Sequence, residues 1–278
     1  MILDARNFVK KRIEELKEKV DKLEKKPKLV IIKIGHDKAS EKYVNNKIKR
    51  CKEVGIESLV IQLGEHLNNE DVAYVIDEAN KDKSVTGILL QLPIPKHLDE
   101  NYLTQLIDPQ KDVDGFTETN MGKLILGEKG NVACTPYGII ELLKYYDIEI
   151  EGKDVLIINR SNIVGKPLAH LFLKENATPT IAHSKTKDLK EKIKKSDIVV
   201  TAIGKAGMFK ADDFKPGTTI IDVSINFDEN GKMCGDVVKS DYEALVTKGC
   251  NVTPVPNGCG QTTVLSLIEQ TIKIADNK

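Results

Sequence analysis

Hydrophobic and polar positions along the chain switch repeatedly between two periods. Over residues 5–25 the apolar side chains Phe8, Ile13, Leu16, Val20 and Leu23 recur at helical spacing, with Lys and Glu between them. Residues 29–34, LVIIKI, form a continuous apolar run closed by Gly35, the pattern of a buried strand. The same reasoning predicts a helix over 40–53 with Ser40 as its N-cap, a strand over 59–63 and a helix over 69–81. It further predicts a strand over 85–92, stopped by Pro93 and Pro95, and a helix near 98–107. A polar loop, DPQKDVDG, ends this series.

A second series opens at Thr135-Pro136, read as an N-cap followed by proline in the first helical position, with the helix reaching about Tyr146. A strand over 155–159 leads through RSNIVGKP into a helix over 165–174. Strands follow at 178–182, 197–202 and 219–223, and a last helix over 262–276 comes after VTPVPNGCGQTT. The charge-rich stretch 185–195 reads as one solvated helix face. Alternating strands and helices predict an α/β protein with parallel sheets covered on both faces. Two series predict two lobes, with a boundary near 135–150.

Length and composition narrow this picture. At about 150 residues per domain, 278 residues suit two domains. Lys+Arg and Asp+Glu are both 42, so the chain lacks the basic excess of a dedicated nucleic-acid binder. Seven Tyr, six Phe and no Trp leave little material for base-stacking platforms. The start of the chain shows no signal peptide, and no apolar run is long enough to span a membrane. Cys51, Cys134, Cys234, Cys250 and Cys259 are odd in number and widely spaced, which argues against a disulfide framework or a metal site and for a reducing cytoplasm.

Five segments carry candidate chemistry. The turn from Asn159 through Arg160, Ser161, Asn162, Ile163 and Val164 to Gly165 joins a strand to a helix, where backbone N–H groups can hold a phosphate. Taken alone it is equally an ordinary turn, because it lacks the G-x-G-x-x-G pattern. The next strand ends Ala182-His183-Ser184-Lys185-Thr186 with no acid for a ribose hydroxyl, so Arg160 and its neighbours suit a 2′-phosphate and NADP.

Tyr43 and Lys47 share a helical face, and a lysine desolvated in a cleft can transfer protons near neutral pH. By itself Lys47 also reads as a solvated surface lysine. Gln91 is a polar side chain at the C-terminal end of an apolar strand, where ligands gather. Lys111-Asp112-Val113-Asp114-Gly115 reads either as a plain turn or as a carboxylate receiving paired donors from a ligand ring. Thr253-Pro254-Val255-Pro256-Asn257-Gly258-Cys259-Gly260 reads as a shaped loop or as a connector.

In this order the segments resemble the bifunctional methylenetetrahydrofolate dehydrogenase/cyclohydrolase family. The likeness runs from Gly35, Ser40, Tyr43 and Lys47 through GILLQLP at 87–93 and KDVDGF at 111–116. It continues with CTPYG at 134–138, RSNIVGKP at 160–167, HSKT at 183–186 and TPVP at 253–256. The resemblance implies a catalytic, folate-binding domain over 1–137 joined by 259–278, and a Rossmann-like NADP-binding domain over 138–258, with the last helix packing on the first lobe. It implies NADP-dependent oxidation of methylenetetrahydrofolate, hydrolysis of the methenyl product to 10-formyltetrahydrofolate, a role in purine biosynthesis and a homodimer.

By the same resemblance Lys47 is the catalytic lysine, Gln91 its hydrogen-bond partner, Tyr43 the stacking residue and Asp114 the pterin-binding acid. Val255, Pro256 and Gly258 would help bind substrate. Asn159, Arg160, Ser161, Ile163, Val164, Gly165, His183, Ser184, Thr186, Ser224 and Ile225 would line the cofactor, with no metal. The chain departs from the family's glycines at Asn159 and Ser224, and from its usual last loop at PNGCGQTT. Three alternatives stay open: a largely monofunctional cyclohydrolase with a weakened cofactor site, a shikimate- or amino-acid-type dehydrogenase, and a non-catalytic binding or scaffold protein.

Overall fold

The computed structural model describes residues 1–276, with side chains at all of them except Lys38, Ala39 and Lys42. It divides into two compact α/β units, Met1–Lys10 with Thr135–Thr263, and Lys11–Cys134 with Val264–Lys278.

In the second of these units, β1 (Lys28–Ile34) lies between β2 (Glu57–Leu63) and β3 (Gly87–Leu90), all parallel. The apolar run that predicted β1 is buried along nearly its whole length, as a central parallel strand requires. Val30, Ile32 and Ile34 pack on Ile88 and Leu90 of β3 and on Val72 and Ile76 of α3 (Asn69–Lys81). α1 (Ala5–Asp21) stops short of the expected residue 25, because Lys22 and Leu23 close i→i+3 bonds onto Lys19 and Val20 on the way to Pro27. α2 (Lys38–Val54) is capped by Asp37, whose side chain accepts from Ser40 N at 2.7 Å, so Ser40 is not the cap. β3 is shorter than the expected 85–92 and ends just before Gln91, whose amide still donates to Ile32 O. α4 (Glu100–Gln105) lies inside its expected range. α5 (Glu118–Ile125), opened by Thr117, was not expected.

The other unit holds a five-stranded parallel sheet. Its strands are β4 (Asp154–Ile158), β5 (Thr178–Ala182), β6 (Ile198–Thr201), β7 (Thr219–Asp222) and β10 (Asn251–Val252), in the order β10-β7-β6-β4-β5. The short β8 (Asn226–Phe227) and β9 (Met233–Cys234) form a separate antiparallel hairpin. α7 (Gly165–Lys174) and α8 (Leu189–Lys195) are the expected crossovers, with Phe172 and Ile193 fully buried. α9 (Tyr242–Thr247) precedes β10.

Two boundaries differ from expectation. α6 (Cys134–Tyr145) includes Thr135, whose hydroxyl pairs with that of Thr263 at 3.0 Å, so Thr135 is no N-cap. α10 (Cys259–Asp276) begins three residues before the expected 262. The first ten residues also group with the five-stranded sheet and not with the folate-type domain expected over 1–137. There Ile2 bridges Val252, Leu3 N donates to Val252 O, and Phe8 packs on Tyr145 with ring centroids 4.9 Å apart.

Candidate active site

In the three-stranded unit the helical spacing of α2 stacks Tyr43, Lys47 and Cys51 on one face. Tyr43 is partly exposed, Lys47 half-buried and Cys51 fully buried, where burial pushes its thiol up to about 12 against the opposing pull of Lys47. Lys47 Nζ donates to Gln91 Oε1 at 2.9 Å. Gln91 in turn donates from Nε2 to Leu92 O at 2.7 Å, so its carbonyl is held toward the amine. Tyr43 and Gln91 are thus placed around Lys47 by a helix and a strand end.

The KDVDG segment divides its labour. Lys111 is buried, and its Nζ donates to Ala79 O, Asn80 O and Asp82 O at the C-terminal end of α3. The buried Asp112 carboxylate accepts from Gly115 N, Thr117 N, Thr117 Oγ1 and Asn120 Nδ2. Those two residues anchor the turn. Asp114 is left half-buried on a small pocket whose apolar wall includes Ile88, Leu90 and Phe116. Burial pushes Asp114 up to about 6, the Lys47 ammonium and the Cys134 thiol pull it down, and Asp112 pushes it up.

Gln270 of α10 completes this arrangement. Its Oε1 accepts from Val132 N at 2.6 Å, and its Nε2 donates to Val113 O at 2.9 Å, to Val132 O at 2.7 Å and to Cys134 Sγ at 3.2 Å. Neither Gln270 nor Cys134 was singled out as a site residue from sequence. The available signal was a glutamine in the apolar run of the last helix.

In the five-stranded unit, β4 and β5 are neighbours in register Ile158↔Ala182. The turns that leave them therefore sit side by side. Arg160 and Ser184 are exposed there, with no acid among residues 183–186. His183 and Thr186 lock their own turn: Thr186 Oγ1 accepts from His183 N, and Thr186 N donates to His183 O. Ser161 Oγ accepts from Val164 N at 3.1 Å, Ile163 and Ile225 are partly exposed, and Ser184 faces solvent.

Asn159 is turned inward. Its Oδ1 accepts from Ser161 N at 2.8 Å and Gly165 N at 3.1 Å, and its Nδ2 donates to Ala202 O at 2.7 Å. A Cβ on Gly165 would stand 2.1 Å from Asn159 O, so the start of α7 accepts only glycine. Ser224 is likewise buried, its Oγ donating to Asp236 Oδ2 at 2.8 Å and accepting from Gly204 N at 3.0 Å. Neither departure from glycine directs a side chain outward. The loop candidates of this unit divide: Val255 and Gly258 are buried, and Pro256 is exposed.

Model matches cover both units. Residues 3–114 match the tetrahydrofolate dehydrogenase/cyclohydrolase catalytic domain, and residues 133–278 match the NAD(P)-binding domain of the same enzymes. The chain belongs to the tetrahydrofolate dehydrogenase/cyclohydrolase family. The bifunctional protein FolD of Agathobacter rectalis is 46% identical over 263 residues, covering 94% of this chain and 93% of that one. The crystal structure of the bifunctional FolD enzyme of Campylobacter jejuni superposes with a TM-score of 0.96 at 42% identity, covering 100% of this chain and 99% of that one. A Trypanosoma brucei FolD structure in complex with NADP cofactor and inhibitor gives a TM-score of 0.93 at 32% identity, covering 100% and 97%. Shikimate dehydrogenase of Aquifex aeolicus, at 15% identity and a TM-score of 0.53, shares the fold alone. Within the family, then, the unit with Lys47 is the catalytic domain and the five-stranded sheet the nucleotide-binding, Rossmann-like domain. Among the described residues no cluster of His, Cys, Asp or Glu could hold a metal, and no helix is long and apolar enough to cross a membrane.

Proposed function

We propose that the protein oxidises 5,10-methylenetetrahydrofolate to the 5,10-methenyl cation with NADP⁺ and hydrolyses that cation to 10-formyltetrahydrofolate. The observation that carries the reading is the contact of Lys47 with Gln91 in the same domain as the half-buried Asp114.

Hydride departure leaves a nitrogen-stabilised cation and needs no acid, so alignment is the chief demand on the protein. NADP⁺, when bound, supplies the hydride acceptor. Arg160 and Ser184 hold its 2′-phosphate, and the glycine-opened start of α7 receives its phosphates. Ser161, Ile163, Val164, His183, Thr186 and Ile225 line the same strand ends, with Asn159 and Ser224 behind them as supports. The inward turn of those two side chains favours a working cofactor site over a monofunctional cyclohydrolase.

Hydrolysis does need proton transfer. Water adds to the cationic carbon and gives its proton to the Lys47 amine. As the ring C–N bond opens, the carbinol proton is carried to the departing nitrogen by way of Lys47, and one proton leaves to solvent overall. Gln91 holds the amine in place. Tyr43 stacks on the flat body of the substrate, and the ionised Asp114 accepts donors from its pterin ring. Val255, Pro256 and Gly258 contribute further substrate contacts.

Exposed Ile181 on the edge strand β5 and Leu173 on the adjoining α7 support a homodimer built on that edge. Five free cysteines support a reducing, cytoplasmic setting, where the formyl product serves one-carbon steps such as purine synthesis.

The test supplies methylenetetrahydrofolate with NADP⁺ or NAD⁺ in separate cuvettes, then methenyltetrahydrofolate alone. Reduction of NADP⁺ together with decay of methenyl absorbance supports the bifunctional reading. Decay without reduction of either nucleotide overturns the dehydrogenase half, and neither signal from folded protein overturns both.

A further inference from the structure

The nucleotide-binding domain holds a carboxylate that the reaction above does not use. Asp236 is fully buried and accepts from six donors. Oδ1 receives Gly204 N at 3.1 Å, Lys205 N at 2.8 Å and Asn226 Nδ2 at 3.1 Å. Oδ2 receives Thr201 Oγ1 at 2.7 Å, Ile203 N at 2.8 Å and Ser224 Oγ at 2.8 Å. A carboxylate offers about four lone-pair directions, so this one is saturated.

The origin of the donors is informative. Thr201 ends β6, and Ile203, Gly204 and Lys205 are successive amides of the turn that leaves it. Three consecutive N–H groups aimed at one anion form a nest, here filled by the protein's own acid. Gly204 takes a φ of +80°, which a larger residue would resist. Ser224 follows the end of β7, and Asn226 opens the β8–β9 hairpin. The same turn is gripped from its other side, because Asn159 at the end of β4 donates to Ala202 O. Strands β4, β6 and β7 are consecutive in the sheet order, so a single carboxylate and a single amide bind together the C-terminal ends of three neighbouring strands. Dinucleotides bind outside those ends in a doubly wound sheet.

Asp236 is itself held. Asp222 at the end of β7 accepts from Asp236 N at 3.1 Å and from Val237 N at 2.8 Å. Packed apolar side chains serve stability as well as a buried charge does, and often better. What six directed donors add is a defined backbone shape at the mouth of the sheet.

We propose that Asp236 is a positioning residue for the nucleotide: its carboxylate holds the turn 202–205 in the conformation that receives NADP⁺. This rests on the reading of the domain as an NADP⁺ site.

Asp236→Asn keeps the side chain's shape and replaces one acceptor oxygen with an amide that cannot accept, leaving about half of the donors unpaired. The measurements are calorimetric titration with NADP⁺, amide hydrogen exchange at Ile203, Gly204 and Lys205, and the melting temperature. Loss of those bonds is expected to weaken NADP⁺ about tenfold or more and to speed exchange at the three amides. A folded variant that exchanges faster yet binds NADP⁺ with the wild-type constant overturns the proposal, since a purely structural hub predicts that result. Should Asp236→Asn fail to fold, Asp236→Glu keeps the charge but displaces the acceptor oxygens from the Ile203, Gly204 and Lys205 amides, and faster exchange at those amides with unchanged NADP⁺ affinity overturns it equally. Wild-type protein that binds no NADP⁺ would instead overturn the functional reading beneath it.

Discussion

Lys47 Nζ and Gln91 Oε1 stand 2.9 Å apart although 44 positions separate the two residues in the chain. One belongs to a helix and the other to the first position past a strand, so the contact exists only because β1 and β3 pair in register and α2 packs against the sheet.

Removing the amine tests the contact's chemistry. Lys47→Met keeps the length of the stem and deletes the proposed proton carrier. Methenyl hydrolysis is expected to fall by roughly 10²–10⁴, the usual worth of a general acid–base group. NADP⁺ affinity, measured by calorimetry, should stay at the wild-type value. Full hydrolysis by the variant would remove Lys47 from the mechanism.

The proposed folate contact of Asp114 predicts a pH dependence. Its carboxyl is pushed up to about 6, so an ionised Asp114 is progressively lost below that pH. The folate KM should rise as pH falls from 7 to 5, and Asp114→Asn should abolish that slope while weakening binding throughout. A flat wild-type profile across that range would contradict the assignment.

Asp114 and the buried Asp222 also bear on the pH dependence of stability. Burial raises Asp114 to about 6 and Asp222 to about 7 from an unfolded value of 3.8. A raised folded value means the folded chain retains protons that the unfolded chain has released. These groups therefore favour folding most below about pH 4, and that contribution is lost as pH rises toward 7. Scanning calorimetry from pH 5 to 8 should show the melting temperature drop by several degrees, at about 2–4 °C for each kcal/mol. A rise over that range would show that other groups dominate.

Gly165→Ala tests the start of α7. Its Cβ would meet Asn159 O at 2.1 Å, and backbone cannot yield as a flexible side chain can. NADP⁺ binding should fall by an order of magnitude or more, and the loss should appear in the nucleotide KM before it appears in hydrolysis. Wild-type affinity would show that the turn adapts.

Thiol chemistry offers a check on burial. Cys51, Cys134, Cys250 and Cys259 are buried, and burial raises the Cys51 and Cys259 thiols to about 12. Only thiolates react, so a mild disulfide reagent should titrate the half-exposed Cys234 first in native protein. All five should titrate in denaturant. Rapid native labelling of Cys259 would contradict its placement.

The alternation of apolar runs with helical stripes was enough to establish two parallel α/β units, because a strand buried on both faces must be apolar throughout and a covering helix must be apolar on one side. The residues around Lys47 were legible for a similar reason: Gln91 interrupts an apolar strand, and Tyr43 lies one helical turn from Lys47. Element ends were less legible. Caps such as Asp37 and the i→i+3 closure after Asp21 depend on a few dihedrals that apolar periodicity does not record.

Tertiary structure alone decided which polar residues face a pocket and which anchor the backbone. Lys111, Asp112 and Asp114 look alike as charged turn residues, yet the fold buries the first two against carbonyls and amides and leaves the third on a pocket. Asn159 and Ser224, which depart from the glycines usual in the family, are turned inward by partners 43 and 12 positions away. Gln270 and Asp236 organise their surroundings through backbone groups far along the chain, and the local pattern names none of those partners. Periodicity reports which side of an element is dry. The direction of a polar side chain depends on what packing has brought opposite it.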